Sequence, residues 1–153
     1  MKILNKAVLS VFVREGEDEE QIKKTLISLV PIDMKKEKIH VQQKTATSFE
    51  DKKIRIFRIE LEKTRHTTLF IKEFLNKLTN EQKQMLLDQI ESRLDDHMHF
   101  FIRLDKNPLI KGRYEITDCG HCFHIKLHVA AFPSKRAVAL KAIEKLLKPK
   151  PEH

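Results

Sequence analysis

The sequence predicts an α+β protein of two layers, with helices packed on one face of a single mixed or antiparallel sheet, in the order βα-ββ-αα-ββ-α. Three observations predict it. Stretches that alternate apolar and polar residues come in pairs, 39–47 with 54–62 and 97–105 with 121–131, as half-covered strands do. Stretches with apolar residues at helical spacing fall between and after those pairs, so helices cluster apart from strands. The chain has 153 residues, 41% hydrophobic and 34% charged, enough to bury one core and too polar for a disordered or fibrous protein. Residues 1–148 are therefore expected as a single domain and 149–153 as a flexible tail.

Each element has its own local reason. Residues 7–13 are nearly all apolar between charged flanks, which predicts a strand covered on both faces. Asp18, followed three residues later by Gln21, caps a first helix whose inner stripe is Ile22, Leu26, Leu29 and Val30. Pro31 and Asp33 end it, and the charged run 35–38 makes an exposed loop. Strands 39–47 and 54–62 then form a hairpin turning near Phe49, Glu50 and Asp51. A helix over 67–78 points Phe70, Ile71, Phe74, Leu75 and Leu78 inward. Thr79 with Gln82 is a second capping pair, opening a helix that carries Leu86, Leu87, Ile90 and Leu94. Strand 97–105, a basic turn over 107–113 and strand 121–131 follow. A final helix runs from Lys135 to about Leu147, and Pro149 and Pro151 cannot continue it.

The net charge of +8 is unevenly placed. Residues 1–96 carry 19 Lys/Arg against 17 Asp/Glu, a net of +2, whereas residues 97–153 carry 11 against 5, a net of +6. A basic segment of this kind suits a polyanionic partner, because neutralising phosphates releases counterions. No apolar run approaches the roughly 20 residues that span a bilayer. Two cysteines and no signal-cleavage pattern predict a cytoplasmic, reducing location without a structural disulfide.

Side-chain parity sorts the last two strands. Met98, Phe100, Ile102 and Leu104 point one way, and His97, His99, Phe101, Arg103 and Asp105 the other. On the partner strand Phe123, Ile125, Leu127 and Val129 share one face, with Cys122, His124, Lys126 and His128 opposite. Paired in register, these strands show one face of rings and cations, which suits single-stranded RNA. The same pattern also fits an ordinary solvated face with Phe101 covered by a loop or partner.

Two constellations look chemical and are read otherwise. Cys119-Gly120-His121-Cys122 matches a thiol motif that elsewhere opens a helix, but here it enters a strand, and as a zinc site it lacks a full ligand set. It reads as turn filler, with neither stoichiometric zinc nor disulfide reductase activity. Asp95-Asp96-His97-Met98-His99 could suggest metal-dependent hydrolysis, but no second carboxylate cluster accompanies it, and aspartates at a helix end are ordinarily solvated. No Ser or Cys nucleophile has an evident His and acid partner, and no glycine-rich phosphate loop exists. The sequence therefore predicts no enzyme, no cofactor and no small-molecule substrate.

Two helix starts break the rule that acids belong at the electropositive end. The first helix obeys it with Glu17, Asp18, Glu19 and Glu20. The helix near Thr67 opens with Arg65 and His66, and the last with Ser134, Lys135 and Arg136. Cations added to free N–H groups are what a phosphate would use. The predicted RNA contacts are thus Arg65, His66, Arg103, Lys106, Lys111, Arg113, Lys126, Lys135 and Arg136.

The strings Phe100-Phe101-Ile102-Arg103-Leu104-Asp105-Lys106 and Ala130-Ala131-Phe132-Pro133-Ser134-Lys135-Arg136 resemble an archaeal family of small RNA-binding proteins described as predicted exosome subunits. That resemblance implies a fold like that of the large-subunit ribosomal protein that binds 5S ribosomal RNA. It implies RNA binding without catalysis, and association with RNA-processing, exosome or ribosome-assembly proteins. It is sharp over about 40 residues and carries Arg103, Asp105, Lys106, Pro133, Lys135 and Arg136 over as family positions. Asp105 would orient a neighbouring basic group. The Cys119–Cys122 turn is not part of the family pattern.

Overall fold

A computed structural model describes residues 2–148, so the expected tail at 149–153 lies outside the described residues. The elements are β1 (Leu4–Val13), α1 (Glu19–Ser28), β2 (Gln42–Thr47), β3 (Lys53–Leu61), α2 (Thr64–Asn76), α3 (Asn80–Asp88), α4 (Ile90–Arg93), β4 (His99–Asp105), α5 (Lys106–Ile110), β5 (Cys122–Val129) and α6 (Arg136–Leu147). The strands form one antiparallel sheet in the order β2-β3-β1-β5-β4. This is the α+β class the alternation patterns predict.

The expected caps form. The Asp18 carboxylate accepts from the Gln21 N–H at 3.2 Å, and Thr79 with Gln82 makes a complete reciprocal box. Two elements differ from the sequence reading. The long helix after Thr79 breaks at Gln89, whose backbone (φ −104°, ψ 10°) leaves helical geometry and separates α3 from α4. The basic turn begins as a helical turn, α5, because Pro108 falls in a first turn where no N–H partner is needed. Gly112 ends it at φ 85°, a left-handed backbone that a side chain would strain, while its N–H bonds Leu109 O at 2.9 Å.

The chain gathers into two compact units. One holds the residues up to Ala7, Glu62–Ile102 and those from Lys126 on; the other holds Val8–Leu61 and Arg103–Ile125. In the first, α2 and α6 cover the inward row of β4 and β5, with Ile71, Leu75, Ile143 and Leu147 against Phe100, Ile102, Leu127 and Val129. Each such fully buried side chain contributes on the order of 1.5–3 kcal/mol. In the second, Ile22 and Leu26 of α1 are buried with Leu9, Val11, Phe57, Ile59, Phe123 and Ile125. Among the described residues, no helix is long and apolar enough to cross a membrane.

Candidate nucleic-acid interface

In the first unit, parity is obeyed along β4 and β5. Phe100, Ile102, Leu127 and Val129 are buried, whereas His99, Phe101, Lys126 and His128 lie on the opposite side with partial or full exposure. The row is anchored by a turn at Asp95. Its Oδ1 accepts from the His97 N–H at 2.9 Å and the His99 N–H at 2.8 Å, and its Oδ2 lies 3.2 Å from His99 Nδ1. Met98 takes a left-handed backbone (φ 64°) to close this turn, and Asp95 N–H returns a bond to His99 O at 3.0 Å. The strand consequently starts at His99, with His97 in the turn before it.

This places rings side by side. The His99 imidazole is 4.9 Å from that of His128, 6.5 Å from that of His97 and 6.3 Å from the Phe101 ring. Burial raises the Asp95 pKa, but the N–H bonds from His99 and His97 outweigh it and hold the carboxyl below 3.8. Desolvation lowers the His128 pKa from 6.5, and His99, Lys126 and Lys6 add to the depression against an opposing pull from Asp95. The aspartate is an organiser of this cluster, a role beyond the solvated helix end read from sequence.

In the second unit, Arg103 is exposed and its Nη1 donates to Asp118 O at 3.1 Å, tying β4 to the Cys119–Cys122 turn. His124 packs its ring 5.6 Å from Phe12 and its Nε2 3.7 Å from Cys122 Sγ. Desolvation pushes the buried Cys122 thiol up, despite the nearby Arg103 and Lys106, so it is held as a thiol. Desolvation pushes His124 down, helped by the same two cations. The turn passes into β5, a strand, instead of opening a helix. Among the described residues, no three His, Cys, Asp or Glu side chains are placed to share a metal.

Lys106 is not where an RNA contact would be. It is 3% exposed; its Nζ donates to Phe12 O at 2.8 Å and to both Glu17 carboxylate oxygens at 3.2 Å. His121 Nε2 lies 3.2 Å from the same carboxylate. Partial burial raises the Glu17 pKa, yet the Arg14 N–H, Lys106 and His121 together hold it below 4.5. Lys106 continues the inward row Phe100, Ile102, Leu104, which is why it is buried. Lys111 and Arg113 stay exposed in the turn after α5, Arg113 reaching Glu115 at 4.0 Å.

The two basic helix starts divide in the same way. At α2, Arg65 is exposed but His66 is 3% exposed, because it sits one turn before Phe70 on the inward stripe. At α6, Lys135 is the N-cap, extended and exposed, with no side-chain cap bond. Arg136 turns away from the helix start. Its Nη1 donates to Glu91 Oε2 at 2.9 Å, and its Nη2 to Glu91 O at 2.8 Å and Leu94 O at 3.3 Å, closing off the end of α4. The structure thus leaves Arg65, Arg103, Lys111, Arg113, Lys126 and Lys135 at the surface and commits His66, Lys106 and Arg136 to the fold.

An RNA-binding protein of Pyrococcus abyssi is 22% identical over 139 residues, spanning 91% of this chain and 90% of that protein. The solved structure of Mth689 from Methanothermobacter thermautotrophicus superposes with a TM-score of 0.78 at 26% identity, covering 95% of this chain and 99% of that one. A Sulfolobus solfataricus protein, SSO0741, shares the fold at TM-score 0.75 and 22% identity over 94% of this chain and 97% of its own. A family model described as RNA binding matches residues 6–129, and the chain belongs to that RNA-binding family.

Proposed function

We propose that this protein binds RNA, performs no chemistry on it, and works beside RNA-processing or degrading machinery. The observation that carries the reading is the side of β4 and β5 turned away from α2 and α6. There His99, Phe101, Lys126 and His128 stand together in one unit, and Arg103 lies further along β4 in the other. Rings and cations in alternation are what an RNA strand requires, a π-face for bases and positive charge for phosphates. Family membership and the Pyrococcus relative support the same ligand class. The proposed phosphate contacts are Lys126, Lys135 and Arg65 in the first unit and Arg103, Lys111 and Arg113 in the second.

The association with exosome or ribosome-assembly proteins, like the fold likeness to the 5S-binding ribosomal protein, rests on the resemblance of 100–106 and 130–136 to the archaeal family. Salt tests the central claim. If about four to six phosphates are neutralised, log affinity should fall against log salt with a slope of roughly −3 to −4 for single strands. A flat salt profile, with tight binding to a processing protein instead, would replace RNA binding by a protein-interaction role. Retention of exosome components on the immobilised protein after nuclease treatment tests the association separately.

A further inference from the structure

We infer that the RNA held on the side of the first unit's strands turned away from α2 and α6 is single-stranded, with an unpaired base stacked on Phe101 and its neighbours on His99 and His128. This rests on the RNA-binding reading above and specifies its ligand. Phe101 is 40% exposed, while Phe100 beside it is 2% exposed. Phe101 is thus a large apolar ring that the fold does not use for its core. The ring next along its strand is His99, and across the sheet from His99 stands His128, at 6.3 and 4.9 Å. The antiparallel count that joins Val129 N–H to Met98 O places Lys126 opposite Phe101. A stacking ring with a cation opposite matches one nucleotide, the base on the ring and the phosphate near the ammonium.

The charge pattern decides between bases and phosphates at the centre of the row. Asp95 sits against His99 with its charge retained, through a carboxylate that accepts three bonds from His97 and His99. A phosphate set over His99 would meet that negative charge, whereas the face of a base would not. A duplex hides its base faces and offers only phosphates and groove edges, so it would leave Phe101 in water. An extended strand can lay successive splayed bases over successive rings, which here are tilted 57° and 48° to one another.

Fluorescence anisotropy can test this with a short oligouridylate, the same strand annealed to its complement, and an abasic strand of equal length and charge. The parent should prefer the oligouridylate over both others. Phe101→Ala should weaken it by about tenfold, within the range of one lost base stack, and leave the abasic strand unaffected. Phe101→Trp should keep or exceed parental affinity, which separates a stacking role from damage to the strand. Equal affinity for the oligouridylate and the abasic strand overturns the inference while RNA binding stands. So does a folded Phe101→Ala protein that binds like the parent. A parent that binds none of these nucleic acids removes the RNA-binding reading itself. A parent dimer that Phe101→Ala turns into monomers, by light scattering, would assign this face to a second copy and overturn the stacking.

Discussion

Two carboxylates organise histidines in this protein, and they lead to opposite ends. Asp95 holds His97 and His99, two and four residues away, within one turn, and the rings it orients stay partly in solvent beside Phe101 and His128. Glu17 meets Lys106 and His121, 89 and 104 residues away in the chain, and the lysine it holds is buried. Taking an ammonium out of water costs several kcal/mol unless a paired charge and hydrogen-bond acceptors replace the solvent. Phe12 O and Glu17 supply both, so Lys106 belongs to architecture. Near Asp95 no such enclosure forms, and the cluster is left facing outward. Whether a cationic side chain can meet a ligand is thus decided by the acceptors the fold brings to it.

The contrast breaks most directly at Lys106. Replacing it with Met strands the Phe12 carbonyl and leaves Glu17 with His121 alone. The expected loss is about 2–4 kcal/mol in urea denaturation, below the full cost of splitting a buried pair because Glu17 is partly exposed. RNA affinity of the folded protein should not change. A variant of parental stability that binds RNA more weakly would return Lys106 to the interface.

The start of α6 sharpens the same division with a smaller effect. Arg136→Ala removes three hydrogen bonds to Glu91 and Leu94 and should cost about 1–2 kcal/mol in the same assay. Lys135→Ala should leave stability within about 0.5 kcal/mol, while reducing RNA affinity and flattening the salt slope by about 1. If the two variants exchange these behaviours, the phosphate contact is Arg136. Because Arg136 supports α4, a charge reversal at both positions would mix the two effects; Lys135 alone is the clean probe.

The smallest effect is pH-dependent. The Asp95 pKa is lowered on folding from 3.8, so its contribution is present above that value and is lost as pH falls through the lower folded value. His128 is also depressed, from 6.5; the unfolded chain takes up its proton first, so stability declines as pH falls below 6.5 toward the folded value. Thermal denaturation of His128→Gln should show a shallower decline over that upper window. Asp95→Asn should lose up to about 1 kcal/mol near neutral pH and show a shallower acid decline. An Asp95→Asn protein with the parental acid profile would mean that the turn does not depend on this carboxylate.

Much of the fold was legible because its signals are local. The alternation over 97–105 and 121–131, the Thr79–Gln82 box and the stripe through Phe70 and Phe74 each read out within a few residues; β4, β5 and α2 form within a few residues of their expected ends, and the helix after Thr79 starts where expected but breaks at Gln89. The exposure of the candidate contacts was legible in part. Arg103 and Lys126 occupy the outward parity of their strands, as expected. His66, Lys106 and Arg136 stand on the inward phase of their elements, ahead of Phe70, after Leu104 and before Ala139 and Ile143. Each element's phase extended by one step points these side chains inward, whereas charge type alone points them to solvent.

The sequence by itself determined the α+β class, the order of the strands and longer helices and which face of β4 turns inward, since periodicity of 2 or 3.6 residues is a property of the chain. It also determined the excess of positive charge after residue 97, which is a count. Only the tertiary structure decided which of those charges reach solvent. That depends on acceptors such as Phe12 O and Glu17, or Glu91 and Leu94 O, distant in sequence and brought near only when the core closes. A buried cation is stable only where such acceptors converge, and convergence is a three-dimensional fact.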